Sequence, residues 1–105
     1  MGYYAYYEGY MEMKEECTEL PASIVADIEY IFPEYTITNG TIEMYGDGKY
    51  YEEETVKLLK DISPYLEMGT VAFYGEDHTH WRFLYIDGRL VEQQGDIVWE
   101  TNREL

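Results

Sequence analysis

Residues 3–14 alternate with a period of two: Tyr4, Tyr6, Glu8, Tyr10 and Glu12 fall on one face, and Tyr3, Ala5, Tyr7, Gly9, Met11 and Met13 on the other. Successive strand side chains point to opposite sides, so this pattern predicts a strand. The second face ends in two methionines and reads as the core side. The first face then presents tyrosines and carboxylates to solvent. Over residues 19–32 the period changes, and Leu20, Ile24, Val25, Ile28, Ile31 and Phe32 form one helical stripe. Thr18 is a candidate N-cap, Pro21 suits the first turn, and Pro33 stops the helix.

Asn39-Gly40 between β-branched residues is a hairpin signal, since a type I′ turn needs positive φ at two consecutive positions. The arm before it is short, so a loop into one strand at 41–46, ended by Gly46-Asp47-Gly48, is the competing reading. Helical spacing returns over 51–66, with Thr55, Leu58, Leu59, Ile62, Tyr65 and Leu66 on the buried side. Glu52, Glu53 and Glu54 occupy its first turn, where the helix dipole favours anions. Glu53 and Lys57 have the favourable i,i+4 order, and Pro64 is expected to kink or end the helix at Ser63. The last third reads as strands at 70–75, 81–86 and 89–93, the latter two flanking Asp87-Gly88, with 97–100 as a candidate final strand. The expected class is α+β, a mostly antiparallel sheet with two helices in the order β-α-β-α-β-β-β and a C-terminal β-meander. At 105 residues the chain is expected to form a single domain, 1–105.

Charge changes this picture most. The chain carries 22 acidic and 7 basic residues, a formal net charge of −15. Residues 1–48 hold ten acids and one base, and 49–105 hold twelve and six, so negative charge is not confined to one half. Phosphate affinity comes from Lys and Arg, so direct binding of nucleic acid, or of an anionic membrane surface, is not expected. A hydrophobic content of 46% is too high for a disordered acidic tail. The N-terminus has no basic segment or long apolar run, and the single Cys17, among Glu15, Glu16 and Glu19, reads as an inert thiol. The expected compartment is the cytoplasm, a host cell's if the chain is phage-encoded. Thirteen tyrosines, against three Phe and two Trp, are the strongest compositional feature. Tyrosine gives flat contact area with a hydrogen-bonding tip at low entropy cost.

Catalytic residue types crowd together only at Gly75-Glu76-Asp77-His78-Thr79-His80. His78 and His80 would share a face if this segment were extended and are weak candidate metal ligands, but the chain has no further histidine. No nucleophile motif or phosphate loop accompanies them, so neither catalysis nor a cofactor is expected. Trp81 is expected in the core, and Arg82 and Arg89 as ion-pair partners of carboxylates.

The stretches Tyr74-Gly75-Glu76-Asp77, Trp81-Arg82-Phe83 and Asp87-Gly88-Arg89 resemble small acidic proteins of bacterial and phage genomes. Size, charge and tyrosine content are similar to those of phage-encoded inhibitors of bacterial defence, the DNA-mimicking anti-restriction and anti-CRISPR proteins. The resemblance is one of composition and implies a non-enzymatic inhibitor. Its partner would be a basic protein, a nuclease or other nucleic-acid-binding effector, with carboxylates standing where phosphates sit. The expected contacts are Tyr4, Tyr6, Glu8, Tyr10, Glu12, Glu15, Glu16, Glu52, Glu53 and Glu54. The same surface suits an immunity or antitoxin protein for a basic nuclease toxin. Two further alternatives are a small-ligand or metal-binding protein centred on Glu76–His80, and a nucleotide binder using Arg82, Arg89 and Lys49. A homodimer formed through the tyrosine strand at a sheet edge is also open.

Overall fold

A computed structural model describes residues 3–95. The elements are β1 (Tyr4–Met13), α1 (Ala22–Ile31), β2 (Tyr35–Thr38), β3 (Thr41–Lys49) and α2 (Glu52–Ile62), then a 3-10 turn (Ser63–Tyr65), β4 (Leu66–Gly75), β5 (His80–Ile86) and β6 (Arg89–Gly95). All the strands join one antiparallel sheet in the order β2-β3-β1-β4-β5-β6. The class is α+β with two helices, as the sequence pattern predicts. Through β4 the connectivity is β-α-β-β-α-β, two interleaved split β-α-β units, and β5 and β6 extend the sheet as a meander. The candidate strand at 97–100 lies outside the described residues.

The alternation in β1 sorts the whole molecule. Ala5, Tyr7, Met11 and Met13 are buried, and on the same face so are Ile42 and Met44 of β3, Val71 and Phe73 of β4, and Trp81 and Phe83 of β5. Both helices close over this face. Ile24, Ile28 and Phe32 of the first helical segment join Leu58, Leu59 and Ile62 of α2 in the same core. Phe32 meets Tyr7 edge-on at 5.0 Å, and Trp81 stacks on Phe73 at 5.4 Å. Fully burying one such side chain contributes about 1.5–3 kcal/mol.

Several expectations are corrected. The short arm before Asn39-Gly40 is a strand, β2, so the element order gains one strand. Asn39 and Gly40 have φ of 51° and 78°, and Asp87 and Gly88 of 52° and 76°, so both hairpin turns take positive φ twice. Gly46 and Gly48 do not end β3; they pair with Tyr7 and Ala5 inside it. A Cβ at Gly46 would lie 2.6 Å from Glu34 Oε2 and 3.0 Å from the Tyr7 hydroxyl, so the missing side chain makes room for both neighbours. The N-cap of α1 is Pro21, not Thr18, and no side chain caps it. Proline holds the preceding residue extended, so a helix started at Thr18 could not run through Leu20. At Pro64 the helix tightens into a 3-10 turn, so Tyr65 lies in that turn and Leu66 begins β4. Lys57 pairs with Asp61 at 2.7 Å rather than with Glu53. Both carboxylates lie four residues from it, and an exposed pair is worth too little for order alone to choose.

β1 is flanked by β3 and β4, so its backbone groups are already used and it cannot pair with a second copy at an edge. The edges are β2, four residues long, and β6, which carries Arg89 and Glu92. Short or charged edges resist pairing with other chains.

Gly9 lies at the centre of the buried face, opposite Met44 and Val71. A Cβ there would collide with Met44 Cγ and approach Val71 Cγ2 to 3.2 Å. Gly9→Ala is therefore expected to destabilise the fold by roughly 1–3 kcal/mol through overpacking. Urea unfolding checks this, and an unchanged midpoint would contradict the packing described.

Candidate functional site

The sheet face away from the helices carries no covering element among the described residues. Strand register lays its side chains in rows. One runs Asp47, Tyr6, Tyr74, His80; the next Tyr45, Glu8, Ala72, Arg82, Gln93; the third Glu43, Tyr10, Thr70, Leu84, Val91. Tyr6 meets Tyr45 edge-on at 5.5 Å and Tyr74 at 5.8 Å, and Tyr74 meets His80 at 5.0 Å. Four rings thus cross four strands, β3 to β5.

Within β1, side chains two residues apart hydrogen-bond along the face. The Tyr6 hydroxyl donates to Glu8 Oε1 at 3.0 Å, and the Tyr10 hydroxyl to Glu12 Oε1 at 2.8 Å. Both phenols sit above the ordinary tyrosine range. For Tyr6 the cause is first its contact with Tyr45, then loss of water, then Glu8; for Tyr10 it is first Glu12. The phenols therefore stay protonated as donors and hold the carboxylates in fixed positions. One oxygen of each carboxylate is left for another donor.

A shallow depression of about 570 Å³ lies between these rows, over Ala72 and Thr70 and bounded by Glu8, Glu43, Tyr10, Tyr45 and Arg82. Its floor is low because small residues occupy the centre of β4. Arg82 is held from the far side, its Nε donating to Gln93 Oε1 at 2.6 Å. The expected pairing of Arg82 and Arg89 with carboxylates is absent among the described residues, where Lys57–Asp61 is the one ion pair. Glu8 and Arg82 share a row but Ala72 stands between them, so register keeps these opposite charges apart.

The ten expected contact residues do not form one surface. Tyr4, Tyr6, Glu8, Tyr10 and Glu12 lie together on the open face. Glu15 and Glu16 lie in the turn after β1. Glu52, Glu53 and Glu54 begin α2, on the helix side and near the opposite end of β1, roughly 30 Å away at the rise of a strand. Glu43, Tyr45 and Tyr74 join the open face without having been singled out. Their signal was present as parity: Glu43 and Tyr45 alternate with Ile42 and Met44, and Tyr74 follows Phe73.

His78 and His80 do not share a strand face. His80 is in β5, but His78 sits in the β4–β5 turn with φ of 67°. In that turn the His78 N–H donates to Gly75 O at 3.0 Å and the Gly75 N–H to Thr79 O at 2.7 Å. The position suits glycine, and the extended segment that chelation required is not formed. Among the described residues no three His, Cys, Asp or Glu side chains gather to hold a metal ion. Asp77 receives the Tyr3 hydroxyl and, at 3.1 Å, the Thr79 N–H. These bonds, Tyr3 first, hold its carboxyl below the ordinary value of 3.8. Among the described residues no helix is long and apolar enough to cross a membrane.

Two outcomes are expected from this turn. His78→Gly should stabilise the protein by about 1 kcal/mol, because it relieves a left-handed backbone, read as a higher midpoint in urea. A depressed carboxyl pKa contributes stability above its unfolded value, and that contribution is lost as pH falls through the folded value. Tyr3→Phe should therefore raise the Asp77 midpoint in a carboxyl-carbon NMR titration and weaken the acid resistance of this turn. A midpoint that stays in place would refute the role given to Tyr3.

The chain matches no protein-family model, no curated protein and no solved structure.

Proposed function

We propose that the protein is a non-enzymatic binding protein that docks a basic protein on its open sheet face. We further propose that it thereby inhibits a nucleic-acid-handling protein of bacterial defence. One observation carries the reading: the central strand presents Tyr6–Glu8 and Tyr10–Glu12 as hydrogen-bonded pairs on an uncovered face. A carboxylate already positioned by a phenol loses little freedom when a partner's Lys or Arg reaches it, which is the advantage of preorganisation. Glu8 and Glu43 flank the depression over Ala72, with Tyr10 and Tyr45 as its aromatic walls. A basic side chain of the partner fits on its β1–β3 side, where ring faces and carboxylates favour a cation, with Arg82 on the opposite rim. Beyond the third row, at one end of β4–β6, the face is apolar, with exposed Met68 and Ile86 near Leu84 and Val91. Tyrosine, methionine and arginine around such a patch are the residue types enriched at protein interfaces. The net charge of −15 supports attraction of a basic partner at long range and fast, salt-sensitive association.

The partner is to be captured from bacterial lysate on the immobilised protein, eluted with salt and measured against variants. Glu8→Lys with Glu43→Lys should lower affinity by about tenfold or more, and Glu53→Lys with Glu54→Lys should leave it within about twofold. Both pairs make the same change in net charge on opposite sides of the sheet. Equal losses would mean that overall charge, not the open face, holds the partner. Loss only in the α2 variant would overturn the proposed site.

A further inference from the structure

On the other side of the sheet, between the end of α1 and the start of α2, lies a cavity of about 170 Å³. A cavity of about 150 Å³ accommodates benzene, so this one takes a group of single-ring or short-alkyl size. Its walls are aromatic: Tyr7, Tyr30, Phe32, Tyr50 and Tyr51 line it, with Thr55 among them. Tyr30 and Tyr51 face each other at 6.1 Å and are 66% and 37% exposed, which leaves their rings reachable from solvent. Thr55 is fully buried, and its Oγ1 has no hydrogen-bond partner. A buried hydroxyl without a partner is costly and points to a group that completes it.

The backbone around the cavity offers further acceptors. α1 has no basic residue in its last turn, and of its final carbonyls that of Ile28 is taken by the Phe32 N–H. The C-terminal end of a helix carries partial negative charge and favours a cation. β2 pairs with β3 only as far as Met44, and the Tyr45 N–H then reaches Glu34 O. Two and four residues on, Asp47 and Lys49 turn backbone groups toward the same unpaired edge, while their side chains lie in register with Tyr6 and Tyr4 on the open face. The positive end of α2 is offset by Glu52, Glu53 and Glu54 in its first turn.

We propose that this cavity binds an alkylammonium group that carries at least one N–H, its methylenes between the tyrosine rings and its N–H donated to Thr55 Oγ1. Ring faces attract the cation, and the alkyl stem fills the apolar walls. The source is a free organic amine or a lysine side chain of another protein. The proposal does not rest on the open-face reading, and the two sites lie on opposite faces of the sheet.

The test is an NMR titration of the full chain, labelled with nitrogen-15, using n-butylammonium, n-butanol, tetramethylammonium and a lysine-containing peptide as probes. n-Butylammonium should give saturable shifts confined to amides near Tyr30, Phe32, Tyr51 and Thr55. n-Butanol, with no charge, and tetramethylammonium, with no N–H, should bind more weakly. Tyr51→Ala, at a partly exposed position, should weaken n-butylammonium about tenfold while amide dispersion elsewhere is kept. Thr55→Val, nearly isosteric, should remove the preference for n-butylammonium over tetramethylammonium. Tighter binding of the peptide than of n-butylammonium at the same amides assigns the site to a protein side chain, and the reverse assigns it to a free amine. An equal response to n-butanol would reduce the site to an apolar cavity. Shifts spread over the acidic surface would show general polyanion behaviour. Either result, or the absence of a saturable shift, overturns the proposal, and none of them bears on the partner captured by the open face.

Discussion

The position of β1 at the middle of the sheet is the constraint on which the rest depends. It pairs with β3 and β4 along nearly its whole length, so its alternation is imposed on both neighbours. A shift of one residue in either register would exchange Tyr7 and Met11 for Glu8 and Glu12 in the core, and burying unpaired carboxylates costs far more than any tyrosine returns. Packing narrows the choice further. Gly9 leaves the space that Met44 occupies, and Gly46 leaves space beside the Tyr7 ring. These two glycines act through what their neighbours need rather than through backbone freedom.

The same constraint organises the chemistry. Because the odd positions of β1 anchor both helices, the even positions project from a rigid, fully paired strand, and Tyr6–Glu8 and Tyr10–Glu12 are set on a scaffold rather than on a loop. Their carboxylates share a face with Arg82, while the carboxylates of α2 stand on the other side of the sheet. The net charge of −15 is therefore divided among surfaces that no single small contact spans. Electrostatic attraction at long range can draw on all of it, but contact energy can draw only on the residues of one face. The cavity beside Thr55 arises from a separate consequence of topology. β2 is short, so beyond Met44 the outer edge of β3 has no strand neighbour among the described residues, and the end of α1 and the start of α2 meet over that gap.

Much of the fold was legible. The helical stripes ending at Phe32 and running from Thr55 to Ile62 are buried as spaced, and Asn39-Gly40 and Asp87-Gly88 form the hairpins that their tolerance of positive φ suggests. The differences have physical causes. Gly46-Asp47-Gly48 has the composition of a turn, but cross-strand pairing with Ala5 and Tyr7 holds it extended. His78 has the spacing of an extended chelate, but the closing of β4 onto β5 places it in a left-handed turn position. Thr18 has the chemistry of an N-cap, but Pro21 sets the start of the helix. In the first two cases a local preference worth about 1 kcal/mol yielded to cross-strand pairing, and in the third it yielded to the restriction that proline places on the residue before it.

The sequence by itself determined which faces are apolar, where the two hairpins turn, and how much charge the protein carries, because these follow from composition and from neighbours within a few residues. Only the tertiary structure decided that the tyrosine strand is central rather than an edge, that Tyr45 and Tyr74 flank Tyr6, and that Glu8 and Glu53 stand on opposite sides of the sheet. Strand order and register join residues dozens of positions apart. They are selected by the packing of the whole core against the entropy of closing the loops between them, and no local periodicity carries that information.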